Sequence, residues 1–375
     1  MVRKGDYTMK LYMMSDADNV HTQRWVTALA ARGVEIMLFS LSNKGIEFYD
    51  KLENVTCVSF AYNSLTKIKC GGNSLSKLKY LNTVSFIKKS IKKFAPDNVH
   101  AHYASSYGLL GALVGKHPYV ISMWGSDVYY FPRISPLHRW VLKYNLSCAD
   151  AVLSTSNVMA TETKLYTDKE PFITPFGVDV DRFSPMQTTR SEDEVVIGTV
   201  KTLLPVYGID VLINAFALVK KSLPQKKVKL IIAGDGNEKS SLESLCKELD
   251  VLGDVEFAGR IANEKVPEFI SRMDVFVALS RRESFGVAAV EAMSCAVPVV
   301  VSDADGFCEV VKDGVTGFVV PRNDVASAAE KILLLLNDYK MAEEMGRQGR
   351  LHVVENYNWK SSVDTMMEVY NFLKK

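Results

Sequence analysis

RESFGVAAVEAMSCAVPVVVSDA, the stretch from Arg282 to Ala304, decides the fold class of this chain. It ends in VPVVVS (297–302), a near-continuous apolar run that is typical of a strand buried on both faces of a parallel sheet. Glu283 lies just after another predicted strand and just before a predicted helix, which leads to the VPVVVS strand. Strand, helix and strand in this order predict an α/β unit with a parallel sheet.

The same alternation continues along the chain. Short apolar runs alternate with longer helical patterns, and the runs lie at 10–14, 35–40, 55–60, 98–103, 119–124, 151–156, 172–177, 195–200, 229–234, 255–259, 275–280, 297–302 and 317–321. We therefore predict an α/β fold of two Rossmann-like domains that face each other across a cleft, with ligands at the carboxyl ends of the strands. The alternation restarts after a polar stretch, which places the N-terminal domain at 1–185 and the C-terminal domain at 186–355. A last helix, 356–375, is expected to cross back to the N-terminal domain.

Composition excludes several classes of protein. Apolar residues make up 47% and charged residues 23% of the chain, which is globular rather than disordered composition. No apolar run approaches the ~20 residues of a membrane-spanning helix, and residues 1–10 lack the apolar core of a signal peptide. The six cysteines form no C-x-x-C pair, which favours free thiols in a reducing compartment. A cytoplasmic location is therefore predicted.

Positive charge is concentrated in the first half of the chain. Residues 1–185 contain 22 Lys and Arg against 15 Asp and Glu, whereas residues 186–375 contain 23 against 28. The excess lies between Lys67 and Lys93, where 74–94 has a helical pattern with an apolar face and a lysine face. Two interpretations are open: a solvated surface helix, or contact with anionic lipid head groups or a lipid-linked acceptor. The second adds the hypothesis of a peripheral position at the inner face of the membrane.

The predicted helix after Glu283 begins with the features of a phosphate site. Its first turn consists of Ser284, Phe285, Gly286 and Val287. The backbone N–H groups of a first turn have no partner within the helix, and they suit phosphate oxygens. Glu283 can accept hydrogen bonds from sugar hydroxyls, and Glu291, about two turns further on, can bind the diol of a ribose. The alternative, two surface glutamates on an amphipathic helix, is disfavoured by the apolar neighbours on both sides.

These residues resemble the E-x7-E motif of retaining glycosyltransferases with two Rossmann-like domains, the GT-B type, and specifically of the large family 4. The resemblance extends over nearly the whole chain through TPFGVDVDRFSP (174–185), YGIDVLINAF (207–216), LIIAGDG (230–236), FAGRI (257–261) and DGVTGFVVP (313–321). Each motif is weak alone, but the order and spacing of all of them are specific.

The resemblance implies a role for each matching residue. Glu283 would contact the hydroxyls of the donor sugar, Glu291 would contact the ribose, and the amides of the first turn would hold the diphosphate. Gly234 would let the donor approach the backbone, and Arg260 and Ile261 match the place where such enzymes contact the base. The donor would be a nucleoside-diphosphate sugar, with uridine and guanosine both open, and no cofactor or metal is expected.

The sequence departs from the family in the loop GTVKTLLPVYG (198–208). Family members usually have an Arg and a Lys there, which neutralise the diphosphate. Lys201 is the one candidate in this loop, because Val206 and Tyr207 stand where a second basic residue is expected. Two alternatives are open: Lys201 suffices for leaving-group stabilisation, or Arg281 and Arg282 contribute.

The N-terminal half is expected to bind the acceptor. His102 and Tyr103 end one predicted strand, and Trp124-Gly125-Ser126-Asp127 ends the next. Many relatives have a histidine in place of Trp124, which leaves Asp127 and His102 as the polar catalytic candidates and the indole as a platform for a sugar ring. The alternatives are that His102 is a structural histidine and that Asp127 caps a helix.

The loop after the first strand, 15–25, offers His21 and Arg24 to an anionic group of the acceptor. The competing interpretation is a helix start capped by Asp18 or Asn19. The three D-x-D triplets of the chain are interpreted as coincidence, because the layout lacks the single mixed sheet of the metal-dependent class.

The predicted reaction is transfer of a sugar from a nucleoside-diphosphate donor to an acceptor hydroxyl, with retention implied by the resemblance. The acceptor would be a glycan or a lipid-linked molecule in surface polysaccharide or glycolipid assembly, and no nucleic-acid partner is predicted. Two rivals remain: a nucleotide-sugar epimerase of the same fold, and a non-catalytic subunit that only binds the nucleotide sugar. Binding without turnover would favour the last.

Overall fold

The computed structural model describes residues 9–60, 78–186 and 194–374, and in these ranges thirteen strands form two parallel sheets. Every apolar run identified in the sequence overlaps one of these strands. The prediction of two Rossmann-like domains is therefore confirmed. Near-continuous apolar runs become buried parallel strands because helices cover both faces of such sheets.

The first sheet has the strand order β3-β2-β1-β4-β5-β6-β7. Its strands are β1 Met9–Met14, β2 Val34–Ser40, β3 Val55–Ser59, β4 Asn98–His102, β5 Tyr119–Met123, β6 Ala151–Ser154 and β7 Phe172–Ile173. The helices of this half are α1 Val20–Ala31, α2 Val84–Phe94, α3 Ser106–Val114, α4 Ser126–Tyr129, α5 Pro136–Cys148 and α6 Asn157–Thr163. The strand order reverses between β1 and β4, so this pair of strands is the topological switch point where such sheets bind ligands.

The second sheet has the order β10-β9-β8-β11-β12-β13, and its switch point lies between β8 and β11. Its strands are β8 Glu194–Val200, β9 Lys227–Ala233, β10 Val255–Gly259, β11 Val275–Ala278, β12 Val299–Ser302 and β13 Phe318–Val320. The remaining helices are α7 Ile209–Ser222, α8 Lys239–Glu248, α9 Val266–Ser271, α10 Val287–Ser294, α11 Asp305–Val310, α12 Val325–Asn337, α13 Tyr339–Asn356 and α14 Trp359–Leu373.

Burial follows the periodicity of each element. Strands β4, β5, β11 and β12 are buried at every position, as expected for strands with helices on both faces of the sheet. Helix α7 buries Ile209, Leu212, Phe216 and Val219, which are three or four residues apart and so lie on one face of the helix. These side chains form one core with β8, β9 and β11.

The two units divide the chain at a different residue from the predicted one. The first unit is Met1–Pro175 with Ser362–Lys375, and the second is Phe176–Ser361. The boundary predicted at 185 is ten residues late, because the backbone carbonyl of Phe183 accepts hydrogen bonds from Ser294 Oγ at 2.6 Å and Arg350 Nη1 at 3.1 Å. Helix α14 begins in the second unit, and from Ser362 onward it belongs to the first.

The basic segment Lys67–Lys93 is described only in part. Residues 61–77 lie outside the described residues, a 3-10 turn follows at Leu78–Thr83, and α2 begins at Val84 rather than near residue 74. Helix α2 buries its apolar face and exposes its lysines, as the sequence pattern predicts. In the ranges that the structure describes, no helix combines the length and hydropathy needed to cross a bilayer.

Candidate functional site

The loop after β8 brings Lys201 to the switch point of the second sheet. The Lys201 amide donates to the Ala233 carbonyl at 2.8 Å, which ties the loop to the end of β9. Gly234 follows with φ 140°, and a Cβ there would lie 1.8 Å from the Lys201 carbonyl oxygen. Only glycine fits this close approach of two backbones, so Gly234 fixes the position of Lys201.

Lys201 and Glu283 meet across the switch point. Lys201 Nζ lies 2.5 Å from Glu283 Oε2, and the side chains are only 17% and 12% exposed. The ammonium group also lies over the Tyr207 ring, 4.4 Å from its centroid. The cation expected at the diphosphate is therefore paired with the carboxylate expected at the donor sugar. A buried pair of this kind is stable only while both members are present.

The turn from Glu283 to Val287 is held rigidly from behind. The Gly306 amide donates to the Glu283 carbonyl at 3.0 Å, and a Cβ at Gly306 would lie 2.4 Å from the Phe285 nitrogen. Gly286 has φ 96°, and α10 begins only at Val287, so Ser284, Phe285 and Gly286 precede the helix and do not form its first turn as predicted. No backbone N–H of residues 285–288 has a hydrogen-bond partner among the described residues. These N–H groups can donate hydrogen bonds to the oxygens of a diphosphate.

The two other basic candidates differ in their contacts. Arg281 makes a bidentate ion pair with Asp210, at 3.0 and 2.6 Å, and it also donates to the Pro205 carbonyl. Its guanidinium is thus committed to holding the loop, which argues against a role at the diphosphate. Arg282 is exposed and has no ion-pair partner in the described part of the chain. Of the two, Arg282 is the one that remains available to an anionic ligand.

The remaining predicted donor residues lie at the same edge of the sheet. Arg260 and Ile261 directly follow β10, and the Gly234 amide donates to the Gly259 carbonyl at 2.8 Å, which joins the ends of β9 and β10. Arg260 is exposed, and Glu291 is half-buried on α10. Among the described residues, the Glu283 carboxylate is ion-paired with Lys201 and not with Arg260, so the base and sugar candidates are separate groups.

The first unit places His102 at its own switch point. His102 is fully buried at the end of β4, and its Nδ1 lies 3.0 Å from the Oγ of Ser15, which directly follows β1. Ser15 Oγ lies 2.7 Å from Thr22 Oγ1. Burial and the neighbouring His100 and His21 lower the pKa of His102 well below 6.5, so the imidazole is neutral. Its Nε2 is buried and has no hydrogen-bond partner among the described residues.

Trp124 lies in the middle of an aromatic cluster. Its ring centroid is 4.4 Å from that of His102, 4.9 Å from that of Tyr103 and 5.8 Å from that of His21. The indole is 8% exposed, so it does not present the open face expected of a sugar platform. It therefore packs against these rings just after the end of β5. Burial and, to a lesser degree, the charge of Arg24 lower the pKa of His21 to about 4.

Asp127 is occupied by backbone groups. Its Oδ2 accepts from the Ala104 amide at 2.8 Å, and its Oδ1 accepts from the Gly125 and Trp124 amides at 2.9 and 3.2 Å. The carboxyl is 1% exposed, and burial raises its pKa. The geometry therefore favours a positioning role, in which Asp127 ties the loop after β4 to the loop after β5, over the predicted catalytic one.

Asn19 caps the first helix, and this cap does not test the other interpretation, in which His21 and Arg24 bind an anionic group. Its Oδ1 accepts from the His21 amide at 2.8 Å and caps α1, as one alternative had it. Its Nδ2 donates to the Tyr103 hydroxyl at 3.4 Å. Tyr103, directly after β4, has φ 66°, a left-handed conformation that is uncommon for a large side chain.

Comparison with known proteins identifies the family. Residues 181–352 match the family described as glycosyl transferases group 1, and residues 10–156 match the family described as glycosyl transferase 4-like. A D-inositol 3-phosphate glycosyltransferase from Corynebacterium jeikeium is 30% identical to this chain, over 95% of this chain and 91% of the relative. This chain belongs to the group 1 glycosyltransferases.

Solved structures show the fold of this group 1 glycosyltransferase independently. Sucrose-phosphate synthase from Thermosynechococcus elongatus has a TM-score of 0.84 at 22% identity, covering 97% of this chain and 99% of that one. Anabaena HepE, solved in complex with UDP and glucose, has a TM-score of 0.77 at 18% identity, covering 97% and 100%. At these identities the likeness shows the two-domain GT-B fold.

Some groups of this glycosyltransferase site were missed by reasoning from the sequence. Ser15 and Thr22 hold His102, and the Tyr207 ring lies against Lys201. Ser15 had a signal, since it is the first residue after a strand at the switch point. Within the described ranges, no three or more His, Cys, Asp or Glu side chains gather as a metal site would. Transfer without a metal ion stays a prediction.

Proposed function

We propose that this glycosyltransferase transfers a sugar, with retention, from a nucleoside-diphosphate donor in the second unit to an acceptor hydroxyl in the first. The observation that supports this best is the Lys201–Glu283 pair, which lies at the β8/β11 switch point beside the unpaired amides of 285–288. Cation, carboxylate and helix-start amides in one place match the leaving group and the sugar of such a donor.

In the proposed mechanism the chain positions the reactants and stabilises the leaving group. The acceptor oxygen attacks the anomeric carbon from the face that the diphosphate leaves, and the bond between that carbon and the phosphate oxygen breaks. The acceptor proton passes to the departing phosphate oxygen. Lys201, Arg282 and the amides of 285–288 stabilise the diphosphate charge, Glu283 orients the sugar, and Glu291 binds the ribose.

The first unit would bind the acceptor. The Nε2 of neutral His102 has no hydrogen-bond partner among the described residues. Depending on the tautomer, it can donate one hydrogen bond to a hydroxyl or accept one from it. His21, Arg24 and Tyr103 would complete this side, and Asp127 would hold its loops in place. Because Asp127 already accepts three backbone hydrogen bonds, it is poorly suited to act as a nucleophile. Front-face attack fits this arrangement.

The donor and the biological setting are also proposals. UDP in the HepE crystals supports a nucleoside diphosphate, and uridine and guanosine remain the candidate bases. One relative is named as a D-inositol 3-phosphate glycosyltransferase, which supports an acceptor with an anionic group. In this chain, that group would bind near His21 and Arg24. We propose a role in surface polysaccharide or glycolipid assembly in the cytoplasm, with the basic segment Lys67–Lys93 at an anionic membrane.

A thermal-shift screen with UDP, GDP, ADP and their sugar conjugates tests the donor site. A ligand that binds the folded state raises the melting temperature. We expect one base to give a shift that Glu291→Ala abolishes and that Glu268→Ala, an exposed glutamate on α9 of the same unit, retains. Equal ligand-induced shifts of the melting temperature in both variants would show that Glu291 on α10 does not bind the nucleotide.

Turnover then separates the rival functions. Incubation of the selected donor with an acceptor panel, followed by NMR of the new anomeric centre, is expected to show a product of retained configuration and one nucleoside diphosphate per transfer. EDTA should not slow it. Conversion of the donor to its epimer without any acceptor would identify an epimerase instead. Donor binding without release of nucleoside diphosphate would identify a non-catalytic binding subunit.

A further inference from the structure

An apolar and aromatic surface lies exposed on the first unit, in the segment that follows Trp124 and Asp127 along the chain. It is formed by the segment between β5 and β6, and we call it the α5 patch. Its members are Tyr130, Ile134, Leu137 and Trp140, which are 64%, 52%, 66% and 62% exposed. Trp140 stacks on Tyr144, with the ring centroids 5.7 Å and the ring planes 8° apart. Four large apolar side chains in one segment differ from the isolated exposed residues that need no explanation.

The residues around the α5 patch are basic. Helix α3 packs against both α2 and α5, so these three helices form one layer on the first sheet. The three helices contain no Asp or Glu. They carry six basic residues, namely Lys88, Lys89, Lys92, Lys93, Arg139 and Lys143. At the margin, the Glu162 carboxylate is already paired with Arg133 at 2.8 Å.

We propose that the α5 patch inserts into the interface of an anionic lipid bilayer while the lysines of α2 contact the head groups. Tryptophan and leucine beside lysine and arginine are the side chains that favour the boundary between head groups and acyl chains. A second copy of this chain fits less well, because two acid-free basic layers would be brought together and would repel each other. The anionic bilayer satisfies both the apolar and the positive part of the surface.

Vesicle flotation tests the proposal with the full chain and without donor or acceptor. The vesicles are phosphatidylcholine with or without phosphatidylglycerol. We expect Leu137→Ser/Trp140→Ser to lower partitioning onto the anionic vesicles about 10- to 100-fold, from the transfer free energy of two large apolar side chains. Lys88→Gln/Lys89→Gln should reduce the preference for phosphatidylglycerol. Tyr339→Ser, which changes an aromatic residue 77% exposed in the second unit, should change nothing.

Fluorescence gives a second readout, because Trp140 is the exposed one of the four tryptophans. Its emission should shift to the blue with anionic vesicles, and Trp140→Phe should bind but lose most of that shift. Unchanged binding of the Leu137→Ser/Trp140→Ser variant, with a cooperative melting curve like that of the wild type to prove folding, would overturn the proposal. So would a dimer of the wild type that this variant dissociates. Because no donor is present, either result leaves the proposed transfer reaction untouched.

Discussion

Replacement of Lys201 by Met separates its pairing with Glu283 from its role at the diphosphate. The change leaves the Glu283 carboxylate, 12% exposed, without its cation. An unpaired charge at such a depth costs about 1–3 kcal/mol of unfolding free energy. Loss of one fixed cation from the leaving group should lower kcat by about 10²- to 10³-fold.

The double variant Lys201→Met/Glu283→Gln distinguishes the two effects. Removing the second charge should restore about 1 kcal/mol or more of the lost stability, since residues in direct contact couple by this amount. Activity should stay low, because the diphosphate still lacks its cation and the sugar has lost its carboxylate. Urea unfolding and steady-state kinetics measure the two quantities on the same preparations. Lys265→Met, an exposed lysine of the same unit, is the control.

One result would refute this reasoning. If Lys201→Met lost stability but kept kcat/KM within about 10-fold of the wild type, far less than loss of a leaving-group cation costs, Lys201 would serve only to hold Glu283. Arg282 would then be the main cation for the diphosphate. Recovery of activity in the double variant would lead to the same conclusion.

Three further predictions concern the loops and the buried groups. Gly234→Ala should unfold the second unit or abolish donor binding, because its Cβ would lie 1.8 Å from a carbonyl oxygen. The control Gly253→Ala, whose Cβ has no atom within 4 Å, should have the melting temperature of the wild type. Trp124→Ala should raise KM for the acceptor in steady-state assays but leave the donor-induced thermal shift unchanged, and a lost thermal shift would contradict the division of roles. Burial lowers the pKa of His100 to about 3, and that of His102 also lies well below 6.5, so the unfolded chain takes up protons that the folded chain does not. Stability should therefore fall as the pH drops below 6.5, by up to about 1.4 kcal/mol per pH unit for each histidine, and urea midpoints that do not change with pH would contradict this.

Much of the fold could be predicted because parallel strands carry their own signal. A strand such as Val299–Ser302 has both faces buried, so its apolar run is readable without knowledge of its neighbours. Likewise, the turn after Glu283 could be placed because strand, glycine and helix follow one another directly in the sequence. The sequence places residues 176–185 in the wrong unit because their partners are far away in sequence: the Phe183 carbonyl accepts from Ser294 and Arg350, more than a hundred residues away.

The sequence does not show which polar side chains already have a hydrogen-bond or ion-pair partner in the folded protein. Lys201 and Glu283 are 82 residues apart, and only the strand order brings them together. The sequence predicts Asp127 as a catalytic carboxylate, yet three backbone amides already donate to it. Arg281 and Arg282 are neighbours in sequence, but only Arg281 is bound to Asp210. Residue type and spacing predict where chemistry can occur, whereas hydrogen bonding decides which groups remain available for it.

At both switch points, the ends of two neighbouring strands bring two polar side chains together, but these are neutral in the first unit and charged in the second. In the first unit the ends of β1 and β4 bring together Ser15 and a neutral His102, which needs no counter-ion when buried. In the second unit the ends of β8 and β11 bring together Lys201 and Glu283, whose charges must compensate each other while no ligand is present. A diphosphate can replace Glu283 as the partner of Lys201, and sugar hydroxyls can replace Lys201 as the partners of Glu283. On the proposed function, donor binding would exchange one set of charge contacts for another, while Ser15 and His102 would keep their hydrogen bond.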